Sequence, residues 1–157
     1  MTSHEGEGRD TIWKLETNLD DCTGEALGFV MELLLSAGAR DVYYQPIYMK
    51  KNRPACLLSV ICTEERRPAL EALIFQHTTT IGIRRVEMER TVLPRRMAQA
   101  ETALGLVAVK VCTLPDGSER AYPEYDSVTA LCRATGESYQ TVYRLAQTAW
   151  EAGNTAQ

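Results

Sequence analysis

Two apolar runs, residues 42–49 and 55–62, parted only by Lys50-Lys51-Asn52-Arg53-Pro54, constrain this chain more than any other feature. Both are rich in Val, Ile, Leu and Tyr, so the pair reads as a β-hairpin with an unusually basic loop. Pro46 has no N–H to donate to a ladder, which places the first run at an edge or a bulge. The second run, Cys56-Leu57-Leu58-Ser59-Val60-Ile61, is nearly continuous instead of alternating, so both its faces should be covered. Together with Tyr43, Tyr44 and Tyr48, it offers more apolar surface than a two-layer domain with one open sheet face should show. Helices from later in the chain and a second copy of the chain are both expected to cover it, giving a homo-oligomer.

The flanking sequence supplies partners for that hairpin. Residues 11–18 read as a strand through Ile12, Trp13 and Leu15. Residues 23–37 read as a helix, with Ala26, Val30, Leu33 and Ala37 at helical spacing and Leu27 and Leu34 widening the stripe. Thr23 is a suitable N-cap, Glu25 complements the helix dipole and Gly38 suits the C′ position. A second helix spans 65–77, with Pro68 in its opening turns and Leu70, Leu73 and Ile74 on one side. Residues 83–93 form a charged strand, with Val86, Met88 and Val92 on one face. The order is β-α-β-β-α-β, a ferredoxin-like pattern. Beyond it, Val107, Val109 and Val111 alternate, and Pro115-Asp116-Gly117 signals a turn. Two helices follow, one over 125–135 stopped by Gly136, the other starting near Ser138 and carrying Val142, Tyr143, Leu145, Ala146 and Trp150. The expected fold class is α+β, a ferredoxin-like βαββαβ sandwich with an added hairpin and a C-terminal helical pair. Its parts are a flexible arm at 1–10, a ferredoxin-like domain at 11–94, the hairpin and helical pair at 95–150, and a tail at 151–157.

Composition narrows the function. The net charge is −4, from 17 Lys and Arg against 21 Asp and Glu, whereas a nucleic-acid-binding surface needs a basic excess. No apolar stretch reaches the roughly 18 residues of a membrane span, and the first ten residues lack a signal-peptide core. The five cysteines, Cys22, Cys56, Cys62, Cys112 and Cys132, form no C-x-x-C pair, so free, mostly buried thiols and a cytoplasmic location are expected. His4 and His77 are too few for a His-rich metal site.

Three clusters carry chemistry. In Glu16-Thr17-Asn18-Leu19-Asp20-Asp21, a strand ends and a helix begins. Asp20 and Asp21 suit a hard cation through oxygen ligands, or they complement the helix start. Lys50, Lys51, Asn52 and Arg53 suit a polyanion such as a triphosphate, or they form a solvated hairpin tip. Thr78, Thr79, Thr80, Gly82, Arg84 and Arg85 also fit phosphate, or they are β-favouring threonines ahead of an amphipathic strand. In the β-α-β-β-α-β order, that segment falls at the sheet edge that holds Asp20. No Walker motif, no GxGxxG and no Ser/His/Asp or Cys/His set is present, so no catalytic residue is assigned. Residues 134–146 have the outline of a helix-turn-helix, but Arg144 is the one basic residue of the would-be recognition helix. A helical hairpin packed on the sheet is the better reading.

The segments Glu16-Thr17-Asn18-Leu19-Asp20-Asp21-Cys22-Thr23-Gly24-Glu25, Pro46-Ile47-Tyr48-Met49-Lys50-Lys51-Asn52-Arg53-Pro54 and Thr78-Thr79-Thr80-Ile81-Gly82-Ile83-Arg84 resemble the C-terminal domain of the LarC family. So does Pro123-Glu124-Tyr125-Asp126, and the resemblance runs from Thr11 to Trp150. That family loads nickel into pyridinium-3,5-bisthiocarboxylic acid mononucleotide, making the nickel-pincer cofactor of lactate racemase. The resemblance implies a CTP-dependent nickel insertase that cleaves CTP to CMP and pyrophosphate with Mg or Mn. By residue, it implies Asp20 and Asp21 at the metal, and Lys50, Lys51, Asn52, Arg53, Thr78, Thr79, Thr80 and Arg84 at the nucleotide. Cys22 stands where the pattern leads one to expect Met, a change that bears on packing. The family's N-terminal half, with its His-rich stretch, has no counterpart in this sequence, so a separate N-terminal nickel-binding half is an implied partner. Neither nucleic acid nor membrane is expected as a partner. Two other readings compete: a non-catalytic ferredoxin-like ligand-sensing or assembly module, and a helix-turn-helix DNA-binding regulator.

Overall fold

The computed structural model describes residues 8–154. The arm expected at 1–10 falls mostly outside the described residues, as do the last three residues of the expected tail. The chain divides into two compact units, Arg9–Thr91 and a second from Val92 onward.

In the first unit, the order is β1 (Gly8–Leu19), α1 (Gly24–Ser36), β2 (Asp41–Met49), β3 (Arg53–Cys62), α2 (Arg67–His77) and β4 (Arg84–Val92). Its sheet has the strand order β2-β3-β1-β4. β3 is antiparallel to both neighbours, with Leu58 opposite Thr17 on one side and Tyr44 on the other. β2 is thus an edge strand, where the missing N–H of Pro46 does no harm. The hairpin loop is tighter than the sequence suggests: a three-residue turn, Lys50–Asn52, with Arg53 and Pro54 already in β3.

The core of this unit lies between sheet and helices. Leu15 and Leu19 of β1, Val42 of β2, and Leu58, Val60 and Cys62 of β3 meet Leu27, Val30 and Leu34 of α1 and Leu70 and Ile74 of α2. The buried stripe of α1 is rotated from the expected one: Ala26 is exposed and Leu33 only half-buried. A methyl group contributes little burial energy, so the larger Leu27, Val30 and Leu34 set which face turns inward. Thr23 caps α1 by accepting the Ala26 N–H at 3.2 Å, and Gly38 takes the left-handed conformation just beyond its end, with φ 97°. Leu58, Ser59 and Val60 are all buried in the central strand, as its continuous apolar run implies. In β4, Val86 and Met88 are exposed, because an edge strand carries fewer neighbours than the inner strands.

The second unit contains β5 (Arg95–Thr102), β6 (Gly105–Thr113), β7 (Glu119–Pro123), α3 (Tyr125–Thr135) and α4 (Tyr139–Asn154). The expected hairpin is a three-stranded antiparallel sheet, β5-β6-β7. Sequence reading missed β5, because Arg95-Arg96-Met97-Ala98-Gln99-Ala100-Glu101-Thr102 is short of β-favouring residues. Pairing with β6, from Arg95 opposite Cys112 to Thr102 opposite Gly105, holds it extended. Val107, Val109, Val111 and Ala100 pack with Val128 of α3 and with Val142 and Ala146 of α4. Gly136, at φ 79°, ends α3, and its N–H reaches the Cys132 carbonyl. The helical pair is packed on its own sheet, with α4 against β5 and β7. Among the described residues, no helix is long and apolar enough to cross a membrane.

Candidate functional site

Alternation along β1 sorts its polar residues by face. Odd positions Leu15, Thr17 and Leu19 point to the helices and are buried; even positions Glu16 and Asn18 point the other way and are half-buried. β1 stops at Leu19 because the chain bends at Asp20 and Asp21 before Thr23 starts α1. Around this bend, the structure assembles three segments distant in sequence.

The first contact comes from the loop between α2 and β4. The Thr79 hydroxyl donates to Asp21 Oδ1, and Cys22 Sγ lies 3.9 Å from Thr79 Oγ1. The loop is moored from below. Buried Thr17 shares a hydrogen bond of 2.5 Å with Thr80 Oγ1 and donates to the Gly82 carbonyl at 3.0 Å. Thr78 ties back to the Ile74 carbonyl at 2.7 Å, which closes α2. Thr80 and Thr78 thus hold the loop to β1 and α2, and Thr79 ties it to the bend at Asp21.

Two arginines complete the constellation. Arg84, at the first position of β4, donates to Asn18 Oδ1 at 2.8 Å and holds its Nε 3.6 Å from Glu16 Oε1. Arg53, at the first position of β3, lies 3.9 Å from Asp20 Oδ2. Both guanidinium groups are more than half exposed, so each keeps N–H donors facing solvent. Lys50 and Lys51 have no carboxylate partner among the described residues. Lys51 and Asn52 adopt left-handed backbone conformations, with φ 60° and 56°. A side chain in that region costs about 1–2 kcal/mol, more readily borne by Asn than by Lys.

Every expected site residue therefore has a place. Asp21 pairs with Thr79, Asp20 with Arg53, Thr80 with Thr17, and Arg84 with Asn18 and Glu16, four separate contacts along residues 16–21. Thr78 supports the threonine loop through α2, while Lys50, Lys51 and Asn52 form the adjoining hairpin tip. Thr23, not either aspartate, accepts the helix N–H, so neither aspartate is the N-cap of α1, although their charge complements the helix start. Among the described residues, no three His, Cys, Asp or Glu side chains gather as a cage for a metal. Two carboxylates suffice for a cation such as Mg, which keeps waters and binds substrate phosphates as well. Glu16, Thr17 and Asn18 were not assigned individually from the sequence. Their signal was the strand alternation, which places Glu16 and Asn18 on the face where Arg84 sits.

Beneath the site, Tyr44 donates to the Leu27 carbonyl and locks β2 to α1. Burial pushes the Tyr44 hydroxyl up to about 12, with the nearby Cys56 and Cys22 thiols adding to the shift. This tyrosine stays neutral and structural. All five cysteines are free thiols; Cys62 is buried, and burial raises its pKa, while the other four are half-buried.

A family model described as nickel insertion protein matches residues 1–143. The chain is 53% identical over 131 residues to the pyridinium-3,5-bisthiocarboxylic acid mononucleotide nickel insertion protein of Alkaliphilus metalliredigens, covering 83% of this chain and 31% of that protein. It is 47% identical over 144 residues to a putative nickel insertion protein of Rhodopirellula baltica, covering 92% of this chain and 36% of that one. The chain thus spans about a third of the length of these curated relatives. A solved structure described as LarC2, the C-terminal domain of a cyclometallase involved in synthesis of the NPN cofactor of lactate racemase, in its apo form, superposes with a TM-score of 0.84. It shares 43% identity over 91% of this chain and 99% of that one.

Proposed function

The chain belongs to the nickel insertion protein family, as its C-terminal domain, and from that premise we propose that it is the nucleotide-binding part of a CTP-dependent nickel insertase. The enzyme would load nickel into pyridinium-3,5-bisthiocarboxylic acid mononucleotide and cleave CTP to CMP and pyrophosphate. One observation carries the reading. Arg53 of the β2–β3 hairpin and the Thr79 hydroxyl contact the acidic bend after β1, and Arg84 of β4 binds Asn18 just ahead of that bend.

A nucleoside triphosphate brings roughly four negative charges, which two nearby carboxylates would repel without a cation between them. Asp20 and Asp21 have the hard oxygen donors such an ion takes. A Mg or Mn ion there would neutralise phosphate charge. Lys50, Lys51, Arg53 and Arg84 present N–H donors to phosphate oxygens, and Asn52 and the threonine hydroxyls can add neutral donors. Cleavage between the α and β phosphates leaves charge on the departing pyrophosphate, and fixed cations at the hairpin tip favour that charge as it develops. Nickel and the pyridinium mononucleotide are the substrates. A separate N-terminal half would supply what the longer relatives carry outside this span. A homo-oligomer and a cytoplasmic setting complete the proposal.

The decisive experiment titrates the chain with CTP, ATP, GTP and UTP, with and without Mg. Mg-dependent binding with CTP preferred is expected. Absence of nucleotide binding under all these conditions would overturn the reading. Nucleotide binding without CTP cleavage, when nickel and the mononucleotide are supplied together with the N-terminal half, would favour the sensing or assembly module.

A further inference from the structure

The row of β1 side chains that faces the helices is Leu15, Thr17 and Leu19, and all three are buried. Leu58, which β3 sets opposite Thr17, is buried as well. A hydroxyl in such a row is costly unless it is hydrogen-bonded, and valine would fill the same space without one. Thr17 is 2% exposed, and its side chain bonds twice, each time to the loop between α2 and β4. It meets Thr80 Oγ1 at 2.5 Å and donates to the Gly82 carbonyl at 3.0 Å.

That loop has little else to fix its middle. Thr78 at its start bonds back to α2, and Ile83 at its end packs against the core. Between them Ile81 is fully exposed, so no apolar side chain pins the loop there. The bonds between Thr80 and Gly82, 2.9 Å to the carbonyl and 3.4 Å from the N–H, only fold the loop on itself. Among the described residues, Thr17 supplies the side-chain bonds that tie Thr80 and Gly82 to the sheet. Thr79, beside Thr80, is the residue that donates to Asp21 Oδ1.

Building on the nucleotide reading above, we propose that Thr17 is a positioning residue of the cation and phosphate site. It touches neither ligand. Its hydroxyl holds Thr80 in place, and this keeps the adjacent Thr79 hydroxyl on Asp21. A carboxylate that accepts such a bond presents its other oxygen to an ion in one orientation, and loss of a supporting bond of this kind typically weakens metal binding about 10–100-fold. With valine in place of Thr17, Thr80 can still donate to the Gly82 carbonyl, so no loop hydroxyl is stranded and the fold is kept.

The test measures how much Mg is needed for half-maximal CTP binding, by calorimetric titration of the 157-residue chain, with melting curves in parallel. Thr17→Val should need roughly tenfold more Mg than wild type. It should melt within a few degrees of wild type, since valine matches threonine in shape and favours strands. Thr17→Ser should restore the wild-type requirement. Thr79→Val should raise it as Thr17→Val does, and the double variant should be no worse than Thr79→Val alone, because both act through one contact. The proposal is overturned by an unchanged Mg requirement in Thr17→Val, by additive losses in the double variant, or by no rescue in Thr17→Ser. A collapse in melting temperature would also overturn it, by making Thr17 purely structural. Wild type binding CTP without regard to Mg would leave no cation for Thr17 to serve, while keeping the nucleotide reading. Wild type binding no CTP at all would remove that reading, and this role with it.

Discussion

Lys51 sits at φ 60°, ψ 27°, where a glycine would be at home. Glycine there would remove a steric cost of about 1–2 kcal/mol but return roughly 0.5–1 kcal/mol of entropy to the unfolded chain. Lys51→Gly should therefore melt within a few degrees of the parent. If its ammonium meets phosphate, CTP affinity should fall about tenfold, since a charge-assisted contact is worth roughly 1.5–3 kcal/mol. Melting and titration on one variant separate the two effects, and unchanged affinity would take Lys51 out of the site. Asp21 offers a second test. Because Thr23 caps α1 and an amide oxygen can still accept the Thr79 hydroxyl, Asp21→Asn should alter stability little. It should abolish most of the Mg dependence of CTP binding. A drop in melting temperature with Mg-CTP bound as before would show the aspartate to be structural. At this scale, the sequence displayed the charges and hydroxyls plainly. It could not display the left-handed backbone at Lys51, since no local rule puts a lysine there.

Between elements, the acid side of the stability curve has an identifiable contributor. Asp10, near the start of β1, accepts two hydrogen bonds from Arg90 of β4, at 2.9 and 2.6 Å, and a further one from Arg40 ahead of β2. Those bonds, Arg90 first and Arg40 second, hold its carboxyl below the ordinary 3.8. A carboxylate with a lowered folded pKa stabilises the fold above its unfolded value, and that contribution is lost as pH falls through the folded pKa. Melting temperature followed from neutral pH to below 3.8 should fall less steeply in Asp10→Asn than in the parent. Parallel curves would mean that the clamp does not couple to protonation. Element identity was legible wherever periodicity was strong: α3 begins and ends where the sequence places it, stopped by Gly136. β5 was not legible, because its extension comes from β6 pairing instead of from its own residues. Likewise, the inward face of α1 was set by the size of Leu27 and Leu34, which a simple count of apolar positions weighs no more than Ala26.

Across the whole molecule, the two units keep separate cores, one built around Leu15, Leu34 and Leu58 and the other around Val107, Val109 and Val111. Every residue proposed for nucleotide binding lies in Arg9–Thr91. Val109→Ala, which removes two buried methyl groups and leaves a cavity, should cost about 2–3 kcal/mol in urea unfolding. CTP affinity at low temperature should be unchanged, and a matching loss of affinity would show that the second unit shapes the site. The ordering of β-α-β-β-α-β and the closeness of the Thr78–Gly82 segment to Asp20 both followed from sequence, because topology fixes which strand ends share an edge. One last consequence attaches to β4. It closes the sheet as an outer strand, and residues 84–89 are exposed in succession, four of them charged: Arg84, Arg85, Glu87 and Glu89. A bare strand edge is a template on which another chain's backbone can polymerise. Here the guard against fibre growth is ionic rather than steric, so it weakens as salt rises. The screening length shrinks from about 10 Å at 0.1 M to about 3 Å at 1 M, and concentrated brine is where this protein's edge is least defended.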